Sequence, residues 1–457
     1  MKRGMRALSL IAAVTVTASL FAGCGQKETA SDGATKIVWW DNGSSAKKFT
    51  EQSVKDFNET IGKEKNIYID YQFKEDAGNQ MSVALSSGGD IPDFLTGNLV
   101  EMADKGQIAA LDDMPGGEEF LKKYDFYREK TNGYKGKTYT VPTTAQLYGV
   151  IYNKDMFKAA GIVDENGNAK PPETWDELRE DAKILTNKDK KEFGIVFPIK
   201  WGGWFGFDIE RSFMAATGQN DGYDPAKGTF DYTQYAPMLE AIVGIRDDGS
   251  CYPGAENVDN DPARARFAEG NIGMKLAVTW DVGVLNDQFP AKCDWGVAPL
   301  PSIEKDKKFY QRMDYGYAPF ISAQAAKDHP EAVMAVYEWM NSEELDIEKY
   351  KNGVAMPWNP SVIDGVTLDN PKTGWQDFGE ILKVSKMPPM SVFTDTTKYT
   401  ALSKDFIDNV WSGKTKTVEQ CLADWTKIKN DGIAEYKKNN PDYDSSEAID
   451  KTFDARR

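Results

Sequence analysis

A chain of 457 residues carrying 71 acidic against 55 basic side chains, a formal net charge of −16, is long enough for two large domains. With no basic cluster, so acidic a chain is unsuited to a phosphate backbone, which excludes nucleic acid as a partner. One histidine and four cysteines leave Ser-His-Asp, Cys-His and His-based metal chemistry with little support, and no Gly-rich loop with a following Lys-Ser or Lys-Thr offers a nucleotide site.

In chain order, Lys2, Arg3 and Arg6 precede an apolar run over 7–21 that closes on Ala22-Gly23-Cys24. The run is short for a bilayer span of about 20 residues, so 1–23 is expected to be a signal peptide, followed by a polar tether over 24–35. The sequence KIVWW at 36–40 predicts a strand ending in Asp41-Asn42-Gly43-Ser44. Helical spacing of Phe49, Val54, Phe57 and Ile61, then alternation of Ile67, Ile69, Tyr71 and Phe73, completes a βαβ unit. A second helix around Met81 to Leu85 stops at Gly88-Gly89. A short strand near 93–95 and a helix over 98–105 follow. Strands alternating with helices imply a mostly parallel sheet with its ligand crevice at the carboxyl ends of strands, where Asp41, Asn42, Thr96, Gly97 and Asn98 lie.

Residues 136–157, GKTYTVPTTAQLYGVIYNKDMF, read as an extended segment entering a buried strand at Val150, Ile151 and Tyr152 that Asn153 ends. Thr174 and Glu177 fit a capping box, and Trp175, Leu178, Ala182 and Leu185 form the stripe behind it, which assigns Trp175 to packing. In PIKWGGWFGF at 198–207 the glycines argue against a regular helix, and Trp201 and Trp204 belong to no stripe, so a stacking platform is expected. A helix from Asp261-Pro262 to Gly270 and a strand over 272–278 lead to a bend at Thr279-Trp280-Asp281. Tyr315 and Tyr317 alternate on one face. His329 opens a helix that turns Val333, Val336, Tyr337 and Met340 inward. Thr417 and Gln420 offer another capping box, ahead of the stripe Leu422, Trp425 and Ile428. Cys251, Cys293 and Cys421 are far apart. A bridge between the first two and three buried thiols both stay open.

The order in 136–157 resembles the inter-lobe crossover of family 1 extracellular solute-binding proteins, the capture subunits of ABC importers. GGDIPDFLTGN at 88–98 is similar to the first lobe of that family, and PPETWDEL at 171–178 to its second. FAEGNIGMKLAVTWDVGVLND at 267–287 is similar to a signature whose Trp lies against the sugar in carbohydrate-binding members. WGVAPLPSIEKDKKFYQRMDYGYAPFISAQ at 295–324 resembles the return into the first lobe, and the spacing from Gly353 to Pro357 and Trp358 also matches. The resemblance implies an α/β, two-lobed periplasmic-binding-protein-like fold (type II), each lobe a mostly parallel sheet flanked by helices, joined by crossover hinges near 143, 305 and 348. The N-terminal lobe would hold 36–143 with 306–348, and the C-terminal lobe 144–305 with 349–457. Ala22-Gly23-Cys24 resembles a bacterial lipobox, with Phe21 where Leu is usual. It implies a lipid on Cys24 and anchoring at the extracytoplasmic face of the cell membrane.

The expected function is that of a lipid-anchored, monomeric substrate-binding subunit of an ABC sugar importer. It would close by a hinge around an oligosaccharide and deliver it to the permease domains with their ATPase, with no cofactor, metal or catalysis. Flat aromatic rings bury the C–H faces of a sugar and polar side chains pair its hydroxyls. The expected ligand set is Asp41, Asn42, Ser44 and Asn98, with Gln146, Tyr148, Trp201, Trp204, Trp280, Asp281, Tyr315 and Trp358. Gln146 stands where some maltose-binding relatives carry a carboxylate, which puts maltose specificity in doubt. The alternatives are a solute-binding protein for a peptide or other polar solute, an adhesion or substrate-retention lipoprotein, and a secreted glycoside hydrolase. Arginines gathered at strand ends would favour an anionic ligand, and in the sequence none stands beside these positions.

Overall fold

A computed structural model describes residues 33–43, 46–124 and 133–456. The expected signal peptide, Cys24, nearly all of the tether and Ser44 lie outside the described residues. The βαβ unit of the first lobe forms as the alternation dictates, but it closes as a two-stranded sheet of its own rather than extending into one mostly parallel sheet. Strand Thr35–Asp41 pairs in parallel with Ile67–Phe73, Ile37 opposite Ile69, and helix Lys47–Glu59 crosses between them with Val54 and Phe57 buried. Strand Phe94–Leu95 pairs antiparallel with Phe320–Ile321, and Asp93 ties it to the first strand by accepting from Val38 N at 2.7 Å. Helix Pro330–Met340 buries Val333, Met334, Val336, Tyr337 and Met340 against the strands of both pairs.

One long strand, Pro142–Asn153, carries the chain out of the first lobe and forms the spine of the second. Its first half pairs with Gln311–Tyr317 and Met356–Pro357, its second half with Ile272–Val278 and Trp295–Pro299. All four pairings are antiparallel. Only the outer pairs, Ile272–Val278 with Phe193–Ile195 and Gln311–Tyr317 with Ser385–Lys386, are parallel. The second sheet is therefore mixed rather than mostly parallel, because the crossover strand runs against every neighbour that it meets. Residues 147–153 are buried throughout, as a strand covered on both faces must be, and this gives the run its continuous apolar character. Tyr148 and Val150 face one core, with Trp175, Phe213 and Trp425, while Leu147 and Ile151 face another, with Trp295, Phe378 and Ile381. Gly149 permits the closest approach: a Cβ there would lie 2.7 Å from Ala298 O and 2.8 Å from Val297 Cγ1. Asn153 ends the strand by accepting from Met156 N and donating to Gly270 O, both at 3.0 Å.

The caps follow the sequence closely. Thr417 and Gln420 form a complete capping box. Thr174 accepts from Glu177 N, but the Glu177 carboxylate reaches one residue further back, to Glu173 N at 2.8 Å. Trp175 is buried, as its stripe requires. Cys251, Cys293 and Cys421 are free thiols packed in the second lobe's cores, and burial pushes them up to about 12, 11 and 12 in that order.

Candidate binding site

Alternation along the crossover strand sends Thr144, Gln146 and Tyr148 to one face and Ala145 and Leu147 to the other. Residues directly opposite in an antiparallel pair share a face, so Asp314, opposite Gln146, joins the first set and Met313 and Tyr315 the second. The Tyr148 hydroxyl donates to Asp314 Oδ2 at 2.6 Å, and Arg211 Nε donates to the same oxygen at 2.9 Å. Arg312 takes the other carboxylate oxygen through Nε at 2.9 Å and Nη2 at 2.6 Å, and its Nη1 donates to Asn220. Burial alone would raise Asp314, but the guanidiniums of Arg312 and Arg211 hold its carboxyl below the usual range.

An aromatic ledge continues from this cluster. The Arg211 guanidinium lies 5.5 Å from the centre of the Phe207 ring. Phe207 stacks on Trp201, centroids 5.5 Å apart and planes at 18°, and meets Trp280 edge-on at 5.7 Å. Trp280 is 39% exposed, and Thr279 N donates to Leu147 O at 3.1 Å, which ties the bend to the crossover strand. A cavity of about 440 Å³ is lined by Thr144, Gln146, Thr279 and Trp280. Another, of about 410 Å³, has Arg211, Arg312, Glu210 and Lys429 in its wall. Burial, with Asp221 adding to it, pushes Glu210 up to about 7, against the pull of Arg211, Lys429 and Arg312.

Four expected ligand residues take other places. Trp204 is fully buried between Phe197 and Trp411, because Trp204–Ile209 winds into a π-helical turn that carries Trp204 and Phe205 inward. The expected irregular loop is thus a wide helical turn. Asp281 is 2% exposed: it accepts from Arg264 Nε at 2.6 Å and Val278 N at 3.1 Å, so it braces the bend beneath Trp280 instead of facing a ligand. Tyr315 sits on the opposite face of the sheet from Gln146, and with Trp358 it lines a separate cavity of about 1000 Å³. Trp358 packs against Tyr124 in the first lobe's core, centroids 5.1 Å apart. Tyr148 is 1% exposed and meets the cluster through its hydroxyl alone.

In the first lobe, Asp41 accepts from the Tyr71 hydroxyl at 2.7 Å and from Gly43 N at 3.0 Å, and Asn42 is exposed. Asn98 caps helix Leu99–Asp104 by accepting from Glu101 N at 3.0 Å. The structure therefore brings together Gln146, Trp201, Trp280 and the Tyr148 hydroxyl. To these it adds Phe207, Arg211, Asn220, Arg312 and Asp314, which the sequence reading missed. The one available signal was alternation in Arg312-Met313-Asp314-Tyr315, which sets two charged residues on the face away from Tyr315.

A two-domain α/β architecture with open sheets flanked by helices, and an aromatic and polar site on the strand that leaves one lobe for the other, defines a periplasmic-binding-protein-like molecule. Residues 40–347 match the model of the bacterial extracellular solute-binding protein family, and the chain belongs to that family. The maltotriose-binding protein of Pyrococcus abyssi is 26% identical over 349 residues, 75% of this chain and 67% of that protein. Among solved structures, the sugar-binding protein MalE from Xanthomonas citri superposes with a TM-score of 0.64 at 17% identity, over 90% of this chain and 100% of that one. The GacH receptor of Streptomyces glaucescens, solved unliganded and with acarbose, gives 0.61 at 18% identity, over 90% and 100%. The family is one of solute-binding proteins rather than catalysts, which sets the glycoside hydrolase reading aside.

Proposed function

We propose that this protein is the capture subunit of an ABC sugar importer. An oligosaccharide lies on Trp280, Phe207 and Trp201, is hydrogen-bonded by Gln146, Thr144 and the Asp314 cluster, and is delivered to the permease domains and their ATPase when the lobes close. The observation that carries this is the exposed Trp280 indole, continued by Phe207 and Trp201 and set beside the Gln146 side chain. Flat apolar surface next to fixed hydrogen-bonding groups is what a sugar ring requires. The sugar ligands of the maltotriose-binding and acarbose-bound relatives support the same reading. Asp41, Asn42, Ser44 and Asn98 are proposed as the facing wall, brought up by a hinge at the crossover strand. Differential affinity for the closed form would let the permease sense occupancy. A lipid on Cys24 would hold the protein at the membrane, and membrane partitioning should be lost in Cys24→Ala.

The test is the melting temperature of the purified protein against oligosaccharides, monosaccharides, peptides and polyols. A ligand at 100 times its Kd adds about 2.7 kcal/mol, a shift of several degrees for a domain of this size. A shift with one class of glycan, recovered uncut, is the expected outcome. A shift confined to a non-sugar class would overturn the ligand assignment and leave the fold untouched.

A further inference from the structure

Three cations from three separate elements enter the wall of the 410 Å³ cavity: Arg211 from the turn Glu210–Ser212, Arg312 from strand Gln311–Tyr317 and Lys429 from helix Val418–Asn439. Facing them are Asp314, shared by both guanidiniums, Asp221, 3.0 Å from Lys429 Nζ, and Glu210. The Tyr232 hydroxyl also serves Asp221, at 2.6 Å. Asp314 takes Arg312 through two nitrogens but Arg211 through Nε alone, so the outer edge of the Arg211 guanidinium is not held by that carboxylate. Arg211 is also the residue whose guanidinium lies over Phe207, which joins the cavity to the aromatic ledge.

We propose that the captured oligosaccharide is acidic: a hexuronic acid unit places its carboxylate against Arg211 and Arg312 while a neighbouring ring lies on Phe207 and Trp280. This rests on the carbohydrate reading above and names the class within it. An arginine fork suits a carboxylate, to which it can donate two parallel hydrogen bonds. The charge balance points to a monoanion. Burial brings Glu210 to about 7, and with Glu210 protonated the three cations face Asp314 and Asp221 alone, a formal excess of one positive charge. A uronate supplies one negative charge, whereas a phosphate ester supplies roughly 1.5 to 2. The groups acting on Glu210 are Asp221, which raises it, and Arg211, Lys429 and Arg312, which lower it. A fall in pH through that range removes a negative charge from the cavity and leaves the uronate ionised, so acidic sugars should bind more tightly on the acid side.

The experiment is calorimetric titration of the purified protein with pairs of oligosaccharides identical except that one hexose is oxidised at C6 to the uronic acid. The acidic member should bind about tenfold or more tightly than its neutral twin. The ratio should grow as pH falls through about 7 and shrink as salt is added. Arg211→Gln should bring the ratio toward one, and Glu210→Gln should hold it high at every pH. If Arg211→Gln does not fold, Glu210→Gln still decides, since a ratio that keeps tracking pH in that variant counts against the site. Equal affinity for both twins, or a preference for the neutral one, overturns the proposal and leaves sugar capture standing. Tighter binding of a matched sugar phosphate than of the uronate overturns the carboxylate assignment. Silence across every pair overturns the carbohydrate reading and this proposal with it.

Discussion

Trp280 and Trp204 are both indoles expected outside regular structure, one at a bend and one in a glycine-rich loop, and local sequence does not tell their burial apart. The π-helical turn separates them, turning Trp204 into the core, while the tether from Thr279 to Leu147 leaves Trp280 open. Their alanine variants should therefore fail differently. Trp204→Ala should cost about 3–5 kcal/mol of stability in a denaturant titration. Trp280→Ala should leave the unliganded melting temperature nearly unchanged and weaken ligand binding by about 0.5–1.5 kcal/mol or more by calorimetry. The reverse pattern would remove Trp280 from the site. Beneath the ledge, Asp208 is buried with Oδ2 unpartnered among the described residues, and burial, with Asp281 adding to it, pushes its carboxyl to about 7 against Lys275 and Arg264. A carboxyl raised in the fold binds its proton more tightly there than in the unfolded chain, so its contribution is complete below about 4 and is lost as pH rises to about 7. Asp208→Asn has no proton to lose. The melting temperature of the wild type should fall relative to Asp208→Asn across that window, and parallel curves would show that Asp208 ionises without cost.

Among the elements, the crossover strand was legible from end to end: the apolar run, its end at Asn153 and the polar residues before it all stand where the pattern placed them. The strand pairings were not. Asp314 meets Tyr148 across 166 positions of sequence and Arg211 across 103, and no local spacing carries such a contact. For the same reason Tyr315 looked like a ligand residue until the register set it opposite Ala145. The close packing at Gly149 makes the strand sensitive to a single methyl group. Gly149→Ala should destabilise the protein by about 1–3 kcal/mol in chemical denaturation, since backbone as well as side chains would have to move. A neutral result would mean that the strands there can part freely.

At the scale of the whole molecule, the two-lobed architecture was available from family resemblance, but the direction of the second sheet was not: the mostly parallel sheet that the resemblance implied for each lobe gives way there to a central strand paired antiparallel with all four of its neighbours. The crossover strand, with Gln311–Tyr317 beside it, is where a hinge would act. Ligand binding should therefore reduce the radius of gyration measured by small-angle X-ray scattering. An unchanged radius at saturation would rule out closure. The cysteines lend themselves to a different use. Cys251, Cys293 and Cys421 all pack in the second lobe, and burial keeps each as a thiol, while the described part of the first lobe holds none. In a form with Cys24 replaced, pulse labelling by an alkylating reagent followed by mass spectrometry would record when the second lobe opens and be silent to the first. The molecule thus carries its own asymmetric reporter, able to tell whether the two halves melt as one unit or in succession.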